Sequence, residues 1–394
     1  MPQKPHPLLA LLLLLPLLPA CATNTAARRP AAAPAAAPEP AGLPAGVAPL
    51  PPDLAARLEE LTEAAEQARG LTARHPVRAG LLDRATLQRQ VAEILRDELP
   101  PAELAAIEEA LQAFGFVPEN LDLARYLPEL LSGEVAGYYD PEKKYLAIVR
   151  QPAADRGRRP AEGENAERDL DEPSGFERRT EDTVIIHELV HALQDQHFDL
   201  GRFKGEEDPL SDAAAARDAL VEGDATIAMF GFLLGIQIEE DPEAAEGVLR
   251  SLGAAGQAAA ALGSEGLAEA PVWLRESLLF SYVEGAAFCL DLLRTGGRKL
   301  LDHAYEAPPL STEQILHPEK WHGRRRDDPV RLAWPDLGRT LPGFEKRIEG
   351  ELGERDVRLL LREALGARSD GAADEDEDKE RRRAEAAAAG WGGD

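Results

Sequence analysis

Apolar residues recur at helical spacing along most of this chain and change to strand-like runs over one short stretch. Leu54, Leu58 and Leu61 fall on one helix face, Leu87, Val91, Ile94 and Leu95 on a second, and Leu104, Ile107 and Leu111 on a third. Pro100-Pro101 separates the last two, because proline has no N–H to continue a helix and its ring clashes with the preceding turn. Val135–Tyr139 and Tyr145–Val149 read as two short strands around an Asp140–Lys144 turn. Thr183–Gln196 contains neither Gly nor Pro. Its Ile185, Leu189, Ala192 and Leu193 make one stripe, which Ile186 and Val190 widen, so a helix buried on most sides is expected. Thr180 and Asp182 are its N-cap candidates. Further helices are predicted over 211–237 and within 243–262, 273–295 and 297–306. The fold class expected is α+β, predominantly α-helical, with a small β-hairpin upstream of the buried helix.

The ends of the chain do not share this patterning. Lys4 is followed by an apolar run, Leu8–Leu18, that is too short to span a bilayer and suits a signal peptide. The run ends in Leu18-Pro19-Ala20-Cys21, which resembles a bacterial lipobox, with Pro19 as a departure from the pattern. The resemblance implies that residues 1–21 carry a lipoprotein signal, that Cys21 is lipidated, and that the protein is anchored in the cell envelope. Ala22 in place of an aspartate then favours the outer membrane, facing the periplasm. Residues 22–50, rich in Ala and Pro, read as a tether. A globular unit is expected over 51–366, with a helical part at 51–133 and a catalytic part at 134–320. Residues 151–179 read as a charged surface insertion, and 367–394 as a charged C-terminal segment that is disordered or, over 367–389, a solvated helix. Trp391, bracketed by glycines, looks like the start of a packed element.

A net charge of −27 argues against nucleic acid or an anionic membrane surface as the main partner. Cys21 and Cys289 are the two cysteines. With Cys21 acylated no intrachain disulfide is possible, no Cys cluster offers a structural zinc site, and Cys289 reads as a small buried hydrophobe.

The candidate chemistry lies in His187-Glu188-Leu189-Val190-His191. Residues four apart on a helix project from one face, so both imidazoles can reach a single ion. Glu188 lies about 100° around the helix from His187, where it can take a proton from a water at that ion. A catalytic zinc commonly has three protein ligands. No downstream histidine has a short spacing from His191, and His197 is poorly aimed, so a carboxylate is the better third ligand. Glu222, beside Gly223 in an Ala-rich helix, is the first candidate; Glu284, beside Gly285, is its rival.

Together the H-E-x-x-H helix, the downstream Glu222-Gly223 and the upstream hairpin resemble a gluzincin-type zinc metallopeptidase, of the kind found among bacterial lipoproteins. The resemblance covers roughly 134–320 and departs from the family where Thr226 stands in place of an Asp four residues after the Glu. It implies a zincin-like active-site helix, Zn2+ on His187, His191 and Glu222, Glu188 as general base, and a peptide or protein substrate. The hairpin would border the cleft, Tyr282 would stabilise the oxyanion, and Asp218 or Asp224 would orient a ligating histidine. Ser311 and Gln314 read as a capping box opening a short helix that Pro318 ends, while His317 is a candidate to point into the cleft as a catalytic residue. A catalytically silent zincin-fold binding lipoprotein, or a hydrolase of a non-peptide envelope amide, remains open on the same residues.

Overall fold

The computed structural model describes residues 42–134, 137–150, 175–203, 211–240, 269–330, 341–366 and 374–389, with single residues at 247, 339 and 391. The apolar leader, Cys21, most of the tether, most of the 151–179 insertion and nearly all of the 243–262 helix lie outside the described residues.

The described part is α+β and predominantly helical, with one mixed four-stranded sheet. The strands are β1 (Ala48–Pro49), β2 (Ala79–Asp83), β3 (Gly137–Asp140) and β4 (Tyr145–Arg150), in the order β1-β2-β4-β3. β3 and β4 form the expected hairpin, with Tyr139 opposite Leu146. Asp140 Oδ1 accepts from the backbone N–H groups of Glu142 and Lys143, and Lys144 takes a left-handed φ of 52°, which closes the turn. β2 runs parallel to β4. Its sequence, Ala-Gly-Leu-Leu-Asp, has no β-branched or aromatic residue and carried no strand signal. β1 pairs with β2 inside the stretch read as a tether, so the folded unit begins before residue 50.

Strand alternation divides the core. Leu82, Tyr138, Tyr145, Ala147 and Val149 face the helices α2 (Arg84–Glu98), α3 (Pro101–Ala113) and α4 (Leu123–Glu134). Tyr139 and Leu146 face the opposite way, against α1 (Pro52–Arg69) and α5 (Gly175–Phe198). α5 begins at Gly175, earlier than the periodicity indicated, so Thr180 and Asp182 lie inside it rather than capping it. Asp182 instead accepts from Arg57 of α1.

Beyond α5 lie α6 (Asp212–Leu234) and α7 (Val272–Glu306), which bury a second apolar cluster between them and the two short helices α8 (Thr312–Leu316) and α9 (Pro318–His322). α7 breaks at Gly297, whose φ of 66° and ψ of −166° match the separation expected between 273–295 and 297–306. Ser311 caps α8 by accepting from the Gln314 N–H, while the Gln314 side chain turns back to the Leu310 N–H. α10 (Glu354–Gly366) and α11 (Asp374–Ala388) close the chain. Of the two states expected for the charged C-terminal segment, residues 374–388 take the helix; it buries Ala384 and Ala388, and Trp391 donates its indole N–H to the Leu352 carbonyl. Among the described residues no helix is long and apolar enough to cross a membrane.

Candidate metal centre

α5 owes its position to its apolar stripe. Ile186, Leu189, Val190 and Leu193 are buried against α1, the sheet and α6, so the polar residues among them are carried into the interior. His187 and His191, one turn apart, present their Nε2 atoms 3.0 Å from each other. Glu222 of α6 brings Oε2 to 3.1 Å from His187 Nε2 and 3.3 Å from His191 Nε2. All three side chains are buried.

Three basic atoms converge on one point, a grouping that could hold a metal ion. Donors at the corners of a tetrahedron, with bonds of about 2.0–2.1 Å to an ion, lie about 3.3–3.4 Å apart. The observed separations, 3.0 to 3.3 Å, are slightly tighter, so the donor set fits a small divalent cation. Burial opposes charge on Glu222, yet His191 and His187 hold its carboxyl well below the ordinary range. Burial also opposes protonation of His191, but Glu222 outweighs it and raises the imidazole to about 9. On His187 burial prevails and its pKa is lowered.

Glu188 points from α5 toward the sheet. Its Oε2 accepts from the backbone N–H of Tyr139 at 2.8 Å. β3 is an edge strand, so this N–H lies on the side that no other strand of the sheet covers. Burial pushes the Glu188 carboxyl up to about 7; Glu222 adds to the effect, while His191 and the Tyr139 N–H oppose it. A carboxylate held near neutrality can both take and return a proton.

Compared with known protein families, curated proteins and solved structures, the chain matches none of them. What the site can do is set by its own atoms.

Of the expected residues, His187, His191 and Glu222 come together, with Glu188 beside them. Tyr282 of α7 is buried with its ring stacked on His187 at 5.9 Å between centroids. Glu284 does not join the cluster. Its Glu-Gly resemblance to Glu222-Gly223 has another origin: a side chain at Gly285 would overlap the Ala219 carbonyl on α6, so this glycine is needed where the helices cross. His317 does not turn to the cluster either. Its Nε2 sits 3.0 Å from Glu354 Oε1, in the joint between α8 and α10, with the Arg358 guanidinium at 3.5 Å. Asp218 is exposed.

Asp224 is buried but reaches the histidines only through Gln194. Gln194 bonds His191 Nδ1 at 2.8 Å through Oε1 and donates from Nε2 to Asp224 Oδ2 at 3.0 Å. Asp224 is held in turn by the Arg69 guanidinium and the Tyr305 hydroxyl. Sequence reading missed Gln194. The available signal was a polar residue one turn past His191, on a helix whose surroundings are otherwise apolar.

Proposed function

We propose that this protein is a metal-dependent hydrolase of peptide bonds, a zinc peptidase of gluzincin type carried on a lipid anchor in the cell envelope. The observation that carries the reading is the convergence of His187, His191 and Glu222, at near-tetrahedral spacing, with the Glu188 carboxylate next to them on the same helix.

Two imidazoles and one carboxylate suit zinc among the divalent ions. When bound, the ion supplies Lewis acidity at a substrate carbonyl and makes water a stronger acid. The remaining roles belong to the chain. Glu188 takes the proton of the attacking water and passes it to the departing amine. Tyr282, against His187, is assigned as donor to the developing oxyanion. β3, whose Tyr139 N–H bonds Glu188, is an edge strand of the sheet, and pairing of an extended peptide with that edge is what this reading expects of the substrate. The Leu18–Cys21 sequence supports the lipid anchor, and Ala22 after it supports the periplasm-facing outer membrane.

Glu188→Gln keeps the shape and the acceptor for Tyr139 but removes the base. The expected outcome is unchanged zinc content and a loss of peptide hydrolysis of at least about 100-fold, the usual range for a lost general base. Hydrolysis at the wild-type rate in a zinc-loaded Glu188→Gln variant would refute the role.

A further inference from the structure

Gln194 lies three residues after His191 on α5, on the same face of the helix, and is completely buried. It touches the metal centre at one end and the Arg69–Asp224 ion pair at the other. The oxygen and nitrogen of an amide are nearly the same size, so its orientation has to be argued from its partners. Here the partners decide it. One end faces Asp224 Oδ2 at 3.0 Å and the Val221 carbonyl at 3.1 Å. A carboxylate and a backbone carbonyl only accept, so that end is the NH2 group. Asp224 in turn accepts from Arg69 Nε at 2.7 Å and from the Tyr305 hydroxyl at 2.7 Å.

The other end is therefore oxygen, 2.8 Å from His191 Nδ1. An amide oxygen only accepts, so the hydrogen is on Nδ1. A neutral imidazole with Nδ1–H has its lone pair on Nε2. That is the atom 3.0 Å from His187 Nε2 and 3.3 Å from Glu222 Oε2. His187 has no corresponding support: its Nδ1 is buried with no hydrogen-bond partner among the described residues.

We infer that Gln194 is a positioning residue for the metal centre: its amide, locked by Asp224 and Val221, selects the Nδ1–H form of His191 and aims the Nε2 lone pair at the point shared with His187 and Glu222. The inference rests on the reading of those three residues as metal ligands. It extends the site through Asp224 to Arg69 on α1, so that three helices hold one imidazole ring in place.

The test is competition of the full chain against a chelating dye for zinc. Gln194→Leu keeps the volume and removes the acceptor; its zinc affinity is expected to fall 10–100-fold, the usual effect of losing such an outer partner. Wild-type affinity in a folded Gln194→Leu protein would overturn the assignment. A second measurement needs no variant. Long-range 1H–15N correlation spectra of the zinc-loaded wild type should show the His191 proton on Nδ1; a proton on Nε2 would overturn it. If the wild type takes up no zinc, the ligand reading fails and takes this inference with it. If the wild type binds zinc and the Gln194→Leu variant matches it, the Gln194 assignment alone fails.

Discussion

Gly223 of α6 and Gly285 of α7 meet backbone to backbone where the two helices cross: a methyl group built on Gly223 would overlap the carbonyl of Gly285. This contact sets how closely α7 approaches α6. It explains why the chain has two similar segments, Val221-Glu222-Gly223-Asp224-Ala225 and Val283-Glu284-Gly285-Ala286-Ala287. The glycines serve the crossing in both. Of the two glutamates, Glu222 joins His187 and His191 of α5.

Gly285→Ala is therefore expected to force the helices apart. Overpacking of this kind costs about 1–3 kcal/mol, and backbone atoms as neighbours put it at the upper end or beyond. Because Glu222 rides on α6, zinc affinity should fall together with the urea midpoint. A Gly285→Ala protein with wild-type midpoint and affinity would show that the crossing is not tight.

Arg69 and Asp224 form an ion pair that is 3% and 1% exposed, and Arg69 Nη2 also reaches Asp302. Removing one member of a buried pair leaves an uncompensated charge and costs about 3–5 kcal/mol. Arg69→Met should lose stability on that scale in urea denaturation. An unchanged midpoint would mean that Asp224 does not need its cation.

Asp212 gives a pH dependence. Burial and the nearby Asp356 raise its carboxyl to about 6, against the pull of Thr312 and Arg355. A folded-state pKa above the unfolded one means that the folded chain holds the proton more tightly. Stability from this group is then present below about pH 4 and is lost as pH rises through about 6. Asp212→Asn keeps an acceptor for the Thr312 N–H and removes the titration. Relative to wild type, the variant should gain on the order of 1–3 kcal/mol between pH 4 and 7. A constant difference across that range, followed by urea midpoints, would contradict the burial argument.

Much of this arrangement was legible in the sequence where the signal is local. The apolar stripe of α5, the Asp140–Lys144 turn and the Ser311 cap each depend on neighbours within a few residues. The His187–His191 spacing follows from helix geometry alone. Glu222 stood out by the glycine beside it and as the first such acid after the motif, and Glu284 was kept as its rival because it shares the Glu-Gly pair, which close helix packing and metal ligation can both leave. What was not legible depends on distant partners. β2 is held by its parallel pairing with β4, not by strand-forming side chains. His317 meets Glu354, thirty-seven residues away, and Arg69 meets Asp224, one hundred and fifty-five residues away. No periodicity encodes such meetings. Gln194 was overlooked because an amide on a helix is usually solvated, and its place in the core becomes evident only when α6 closes over it.

The most direct test is elemental analysis of the purified protein, wild type and His191→Ala, after exposure to zinc and exhaustive buffer exchange. One zinc ion per wild-type chain, with little or none in the variant, is the expected result. A wild-type chain without stoichiometric metal, or a His191→Ala chain that retains it, would contradict the claim that His187, His191 and Glu222 hold a catalytic cation.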